Sequence, residues 1–216
     1  MRFTYTMALC LLVGLTSSVI ADTISYNAAI PTTNTGSGRV VSLPQFDPAL
    51  GTLTGVQLYL DADAFAGSIV WDNESGTVTY VFLGIGATVT ATAPDALTMI
   101  AIPLQEGEGN VAADNDGDPD YAGADSLSVT GGTGSDSDDA NPTVFTPYIG
   151  AGMFDVIISS VVKTYSGTTG GTGVTNSTPG QYDGLVSVTY TYVPEPTTMG
   201  LLACGGLAIL SRRKRK

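Results

Sequence analysis

The residue types best suited to chemistry are the carboxylates of an acidic segment, residues 106–141. Within it Asp114, Asp116, Asp118 and Asp120 alternate with other residues. Alternate side chains of an extended chain lie on the same side, so these four carboxylates can face one cation. A hard cation such as Ca²⁺ takes about six to eight oxygen ligands. The sequence therefore predicts Ca²⁺ at these four residues; the alternative is a solvated acidic loop that aids solubility.

The spacing does not fit an EF-hand. With Gly117 at the loop position that requires glycine, the first ligand position falls on Ala112 and the last on Gly123. A loop starting at Asp114 places Pro119 where the glycine belongs. The predicted Ca²⁺ loop is therefore of another kind, in a long connection that holds one short strand, 127–130.

Several classes of chemistry are excluded by composition. The chain of 216 residues has no histidine and two cysteines, which removes nucleophilic triads, His-ligated metals and Cys-rich zinc sites. A formal net charge of −12 argues against nucleic acid as a partner. The glycine-rich runs 131–134 and 167–173 lack the lysine of a phosphate loop and are typical of flexible linkers.

Two acidic pairs and three aromatic residues carry weaker signals. Paired carboxylates catalyse glycoside hydrolysis, but pairs two residues apart are common by chance in an acidic chain. Aromatic side chains on strands can line a sugar-binding face, although they more often belong to a core. We therefore predict that the protein is not an enzyme, with a secreted hydrolase as a less favoured reading. The residues are the pairs Asp61/Asp63 and Glu106/Glu108, and Tyr59, Trp71 and Tyr80.

The elements that must position these residues are β-strands. Runs rich in Val, Ile, Thr and Tyr alternate in polarity and are bounded by Gly, Asn, Asp and Pro. No sustained helical period occurs in 22–192, so this passenger domain is predicted to be an all-β, antiparallel sandwich, jelly-roll or Ig-like. About nine strands are expected, at 40–43, 53–60, 67–71, 77–83, 88–92, 98–104, 127–130, 155–165 and 185–193.

The N-terminus has the pattern of a secretory signal peptide, residues 1–21. One positive charge precedes a short apolar run, and a small-residue site ends at Ala21. Signal peptidase is therefore expected to cleave after Ala21. Export would expose residues 22–193, where only Arg39 and Lys163 balance 19 of the chain's 20 acidic residues, a formal charge of −17 (2 minus 19).

The C-terminus, residues 193–216, combines three parts in a fixed order. A Val-Pro-Glu-Pro stretch precedes an apolar run, 199–210, and then a basic end. This run has 12 residues, whereas a free-standing membrane helix needs about 20. We therefore predict a short transmembrane helix that pauses export, with the basic end kept cytoplasmic. The two prolines should keep their segment extended and unpaired for a processing enzyme. The residues are Val193, Pro194, Glu195 and Pro196, and Arg212, Arg213, Lys214, Arg215 and Lys216.

These three parts resemble the PEP-CTERM sorting signal of bacteria. The resemblance implies processing by an exosortase, a membrane transpeptidase, through an inner-membrane intermediate. The mature protein would then reside at the cell surface or in the extracellular matrix. We expect an exported protein of this kind; the alternative is a Ca²⁺-dependent carbohydrate-binding module in extracellular polysaccharide.

The start of the passenger resembles a second family. Residues 43–56, LPQFDPALGTLTGV, and the block 147–152 resemble choice-of-anchor E domains, which are bacterial surface domains upstream of varied anchoring tails. The resemblance implies architecture and anchoring and no catalytic residues. From the residues themselves, Phe46 is expected to be buried under the sheet, with Gly51 turning the chain into the next strand.

Overall fold

The computed structural model describes residues 21–114 and 116–195. Outside these residues lie Pro196, the predicted membrane segment, the basic end and residues 1–20 of the predicted signal peptide. Within them the chain is all-β with antiparallel sheets, as predicted. Its strands are β1 (Asp22–Asn34), β2 (Arg39–Pro44), β3 (Gly51–Phe65), β4 (Ser68–Asn73), β5 (Thr79–Thr92), β6 (Thr98–Ala101), β7 (Leu104–Val111), β8 (Ser126–Thr130), β9 (Thr133–Ala140), β10 (Met153–Thr168), β11 (Gly173–Thr178) and β12 (Gln181–Pro194).

The strands form three sheets. Sheet I has the order β1-β12-β3-β9, and sheet II has the order β2-β10-β5-β6, with β7 paired to the other half of β5. Sheet III is small, with the order β11-β4-β8. Every ladder between these strands is antiparallel.

Sheets I and II enclose the main core because their strands alternate in polarity. The alternation of the predicted strand 53–60 is present in β3, where Leu58 and Leu60 are fully buried while Tyr59 between them is 40% exposed. The inner faces of β10 and β5 supply the opposite side of the same cluster. Phe46 is buried as expected, with its ring 5.2 Å from that of Tyr192.

A second, smaller core lies under sheet III. The first half of β5 turns Val81 and Leu83 toward Ile69 and Trp71 of β4, and all four are buried. The second half of β5 faces sheet I instead. One strand of 14 residues therefore spans both cores, which explains why the separately predicted runs 77–83 and 88–92 form a single element.

The strand order favours the jelly-roll alternative over the Ig-like one. In an Ig-like domain the first two strands are neighbours in one sheet, whereas here β1 and β2 belong to different sheets. The exposed edges β9 and β6 meet through side chains. Asp138 accepts the backbone N–H of Ile100 at 2.7 Å, and Asp136 accepts that of Ile102 at 2.6 Å.

The prediction that residues 106–141 form one long acidic connection is wrong. Residues 106–141 contain most of β7 and all of β8 and β9, so only 112–125 is a long connection. The acidic composition concealed β9, because its backbone pairs with β3 while two of its carboxylates accept backbone N–H groups instead of packing as apolar side chains would. The linker assigned to 167–173 is also shorter, since β10 continues to Thr168 and β11 starts at Gly173.

The two ends of the described chain lie at one pole of the fold. Asp22 pairs with Tyr192, and Pro194 pairs with Gly51. We call this end the terminal pole. The connection 112–125 lies beside Asn73 at the end of β4 and Thr79 at the start of β5, and we call this region the acidic pole.

Candidate functional site: the acidic pole and an aromatic groove

Three carboxylates converge at the acidic pole. One oxygen each from Asp114, Asp116 and Asp125 lies within 4.8 Å of the other two. Asp125 is 4% exposed, Asp114 is half-buried and Asp116 is exposed. This arrangement offers hard oxygen ligands of the kind that Ca²⁺ takes.

Local hydrogen bonds shape the loop that carries two of these carboxylates. The Asp114 carboxylate accepts the N–H of Asp116 at 3.1 Å and that of Gly117 at 2.9 Å. These short-range bonds fold the loop back on itself, as aspartate side chains commonly do in turns. Asp118 and Asp120 lie outside the converging group, and Asp120 accepts the N–H of Ala122 at 2.7 Å.

Two buried polar side chains of β4 hold the connection 112–125 in place. Asp72 is 3% exposed and accepts the N–H of Tyr121 at 2.8 Å. Asn73 is 2% exposed, and its amide donates to the carbonyls of Thr77 at 2.9 Å and Ala112 at 2.5 Å. The ends of the connection are therefore fixed by buried polar side chains.

The acidic pole has a strongly negative field. Partial burial, followed by the charges of Asp114, Asp72, Asp116 and Asp118, raises the pKa of Glu74 above its ordinary value. The described residues contain two positive side chains, Arg39 and Lys163, and both lie on strands of sheet II. Mutual repulsion is therefore uncompensated by cationic side chains in this part of the fold.

Sequence reasoning predicted Asp114 and Asp116 and missed Asp125 as their partner. Asp125 belongs to the same acidic segment, but its spacing of nine residues from Asp116 gives no periodic signal. The backbone carbonyl of Asp125 accepts the N–H of Asn73 at 3.0 Å, which fixes it beside β4. The pairing of β4 with β8 therefore decides where its side chain lies.

A second feature lies on the outer face of sheet II. We call it the aromatic groove; its volume is about 280 Å³, and it is lined by Phe82, Leu83, Glu106, Gly107, Glu108 and Tyr165. Strands β5, β7 and β10 supply these residues. Of the aromatic residues singled out in the sequence, Tyr80 lies beside this groove on β5, whereas Trp71 is buried in the core under sheet III.

Two aromatic rings pack over glycine residues in this groove. The ring of Tyr165 covers Gly84, where an added Cβ would lie 2.1 Å from a ring carbon, and the ring of Phe82 covers Gly167. Their centroids are 6.4 Å apart with planes inclined at 45°. Phe82 remains 40% exposed, so the pair presents an accessible aromatic surface.

The carboxylates of the aromatic groove are held by tyrosine hydroxyls. Tyr165 donates to Glu106, and this bond is the main reason why the pKa of Tyr165 rises to about 12. A hydrogen bond to Glu108 is the largest cause that raises the pKa of Tyr80. A carboxylate has about four lone-pair sites, so each glutamate keeps acceptor capacity for a ligand.

Four of the five predicted processing residues lie at the terminal pole, and Pro196 lies outside the described residues. Ala21 and Glu195 are exposed at the two ends of the described chain. The expectation that the Pro-Glu-Pro segment is unpaired is wrong for its beginning, because Val193 and Pro194 are the last residues of β12 and pair with β3. Gly51 permits this approach: its φ is +146°, and an added Cβ would lie 2.1 Å from the Val193 carbonyl oxygen.

No helix within 21–114 or 116–195 has the length and hydropathy needed to cross a bilayer. The predicted segment 199–210 lies outside those residues.

The C-terminal resemblance is confirmed by comparison with known families. The PEP-CTERM protein-sorting motif matches residues 193–216, and it indicates exosortase-dependent sorting of an exported protein to the cell surface. No curated protein sequence matches the chain.

Among solved structures, the chain is similar to a chain in the structure of the infectious bursal disease virus Gx strain. The identity is 17% over 82% of this chain and 32% of that chain, with a TM-score of 0.18. For the Gt strain the identity is 16% over 79% and 38% of the two chains, with a TM-score of 0.16. The chain spans about a third of the length of these viral proteins, and likeness at this level supports no statement about function.

Proposed function

We propose that the protein is a non-enzymatic component of the bacterial cell surface or extracellular matrix, delivered by an exosortase. The observation that carries this proposal is the sorting motif at 193–216, which begins within the last strand of the folded domain. Signal peptidase would remove residues 1–21. The C-terminal segment would hold an intermediate in the inner membrane until processing.

The position of both ends at the terminal pole supports this function. A domain tethered there would leave the acidic pole, which is built from other strands, free of the tether. Only Glu195 to Thr198 separate β12 from the predicted membrane segment, a reach of about 13 Å when fully extended. The domain would therefore lie against the membrane before processing.

The test is to replace Pro194, Glu195 and Pro196 by alanine in the native host. The expected result is an uncleaved, membrane-retained precursor whose domain is folded, because these residues are at or beyond the end of β12. Pro179→Ala, at an exposed proline in the β11–β12 turn, is the matched control and should be processed normally. Normal processing and display of the triple variant would refute sorting through this motif.

We further propose that Ca²⁺ binds at the acidic pole and stabilises the connection 112–125. The convergence of Asp114, Asp116 and Asp125 supports this proposal. Asp118 and Asp120 remain predicted ligands, and they would need to turn toward the other three on binding. Bound Ca²⁺ would offset the repulsion that raises the pKa of Glu74.

A second candidate function is Ca²⁺-dependent binding of extracellular polysaccharide. The aromatic groove favours it, because flat exposed rings beside hydrogen-bonding carboxylates suit the apolar faces and hydroxyl groups of sugars. Binding to a glycan array that is lost with a chelator would support this function, and binding that persists would separate the groove from the cation. The resemblance to choice-of-anchor E domains remains a prediction that agrees with either function.

A further inference from the structure

The aromatic groove has a combination of features that selects for ligand charge. It places two exposed carboxylates, Glu106 and Glu108, beside the rings of Phe82 and Tyr165. Both glutamates lie on the same face of β7 because they are two residues apart in a strand. Carboxylates accept hydrogen bonds and attract cations, and aromatic faces also attract cations.

The field around the groove strengthens this selection. The domain carries a formal charge of −17, and Lys163, which lies on the outer face of β10 two residues from Tyr165, is not among the lining residues. Acidic polysaccharides would be repelled, and neutral ones would gain nothing from the field. A ligand with ammonium groups would gain from both glutamates.

The rings narrow the ligand class further. Tyr165 and Phe82 each pack over a glycine, and their rings, inclined at 45° to each other, present aromatic carbon to the groove. Such a surface suits stacking with the face of a pyranose ring more than it suits a flexible side chain. A ligand that offers both a stackable ring and an ammonium group is an amino sugar.

We propose that the aromatic groove binds an amino-sugar polymer with free amino groups, its rings stacked on Phe82 and Tyr165 and its ammonium groups paired with Glu106 and Glu108. This activity goes beyond sorting to the cell surface. It also differs from the Ca²⁺-dependent alternative, because the groove's own carboxylates make the contacts and no cation is needed.

The test uses the full chain in detergent with a chelator present and measures binding of glucosamine oligomers by calorimetry. N-acetylated oligomers of the same length and lysine oligomers are the comparison ligands. Glucosamine oligomers should bind at least about tenfold more tightly than N-acetylated ones, since each lost charge-assisted hydrogen bond weakens binding by about that factor. They should also bind more tightly than lysine oligomers, which keep the ammonium groups but have no ring to stack on Phe82 and Tyr165. The affinity should fall as salt is raised.

Two glutamine variants and a matched control locate the site. Glu106→Gln and Glu108→Gln should each weaken binding about tenfold without changing the melting temperature. Asp155→Asn removes the same charge from the same sheet face at the far end of β10 and should bind like the unmodified protein. Tyr165→Phe keeps the ring and should retain most of the affinity, whereas Tyr165→Ala should lose it.

Three results would overturn the proposal. Equal affinity for N-acetylated oligomers would mean that the groove does not recognise the ammonium groups. Equal affinity for lysine oligomers would mean that it does not recognise the sugar ring. An equal loss in Asp155→Asn would mean diffuse attraction without a groove. None of these results bears on processing in the host, so failure here is distinguishable from failure of the sorting function.

Discussion

Replacing Asp114 and Asp116 by asparagine should change stability in opposite directions with and without Ca²⁺. The oxygens of these residues and Asp125 lie within 4.8 Å of one another. At that distance each pair of like charges repels by at least about 0.9 kcal/mol even at the dielectric constant of water. The double variant removes all three repulsions, but neighbouring charges also repel in the unfolded chain, so we expect a net gain of about 1–2 kcal/mol in the metal-free protein.

Asparagine is the appropriate replacement because it preserves the loop. Its side-chain oxygen can still accept the N–H groups of Asp116, Gly117 and Asp118 that the two aspartates now accept. A gain of about 1–2 kcal/mol should raise the melting temperature by about 2–8 °C in a domain of this size. The unmodified protein should instead gain about 2.7 kcal/mol from Ca²⁺ at about 100 times its dissociation constant.

The assay is thermal unfolding followed by circular dichroism, with chelator and with millimolar Ca²⁺. The order of the two melting temperatures should reverse on addition of Ca²⁺, because only the unmodified protein binds it. Asp136→Asn with Asp138→Asn is the control of equal charge change and should keep the full Ca²⁺ response. If Ca²⁺ leaves the unmodified protein unchanged, the carboxylates form only a solvated acidic loop.

Three further outcomes are expected. Asp136→Ala with Asp138→Ala should lower the free energy of unfolding, measured by denaturant titration, by about 2 kcal/mol. The reason is the loss of two hydrogen bonds from backbone N–H groups to these carboxylates, each worth roughly 1 kcal/mol at an exposed site. In the same titration, the neighbouring Asp139→Ala should lower the free energy of unfolding much less. Gly51→Ala should detach the end of β12 at a cost of about 1–3 kcal/mol, because alanine is strained at its positive φ and clashes with Val193, and faster hydrogen exchange confined to that end would report it. The raised pKa of Glu74 means that the folded state holds its proton more tightly than the unfolded state, so its contribution is present below about pH 4.5 and is lost as pH rises through the folded pKa. In chelator, Glu74→Gln should therefore flatten the fall in melting temperature above pH 4.5, and an unchanged slope would contradict this assignment.

The strands that were predicted correctly carry a strong local signal. In β3 and β12, apolar and polar residues alternate over eight or more positions, and the side chain period of a strand puts one set inside. The missed strands lack that signal. β1 is an edge strand with one fully buried apolar residue, Ile30. β9 contains three aspartates, two of which accept backbone N–H groups of residues 100 and 102 in place of apolar packing.

The sequence by itself determined the sorting motif and the structural class. The sorting motif is recognised as a linear pattern, and alternation along each strand is enough to indicate an all-β fold. Tertiary structure alone decided which acidic residues meet, because Asp125 is brought to Asp114 by the pairing of β4 with β8 and by the backbone hydrogen bond from Ala112 to Ala124. It also assembled the aromatic groove, since Phe82, Glu106 and Tyr165 belong to three strands whose register brings them together. Periodicity can assign a residue to a face of its own strand, but which residue of another strand lies beside it depends on pairing between segments far apart in the chain.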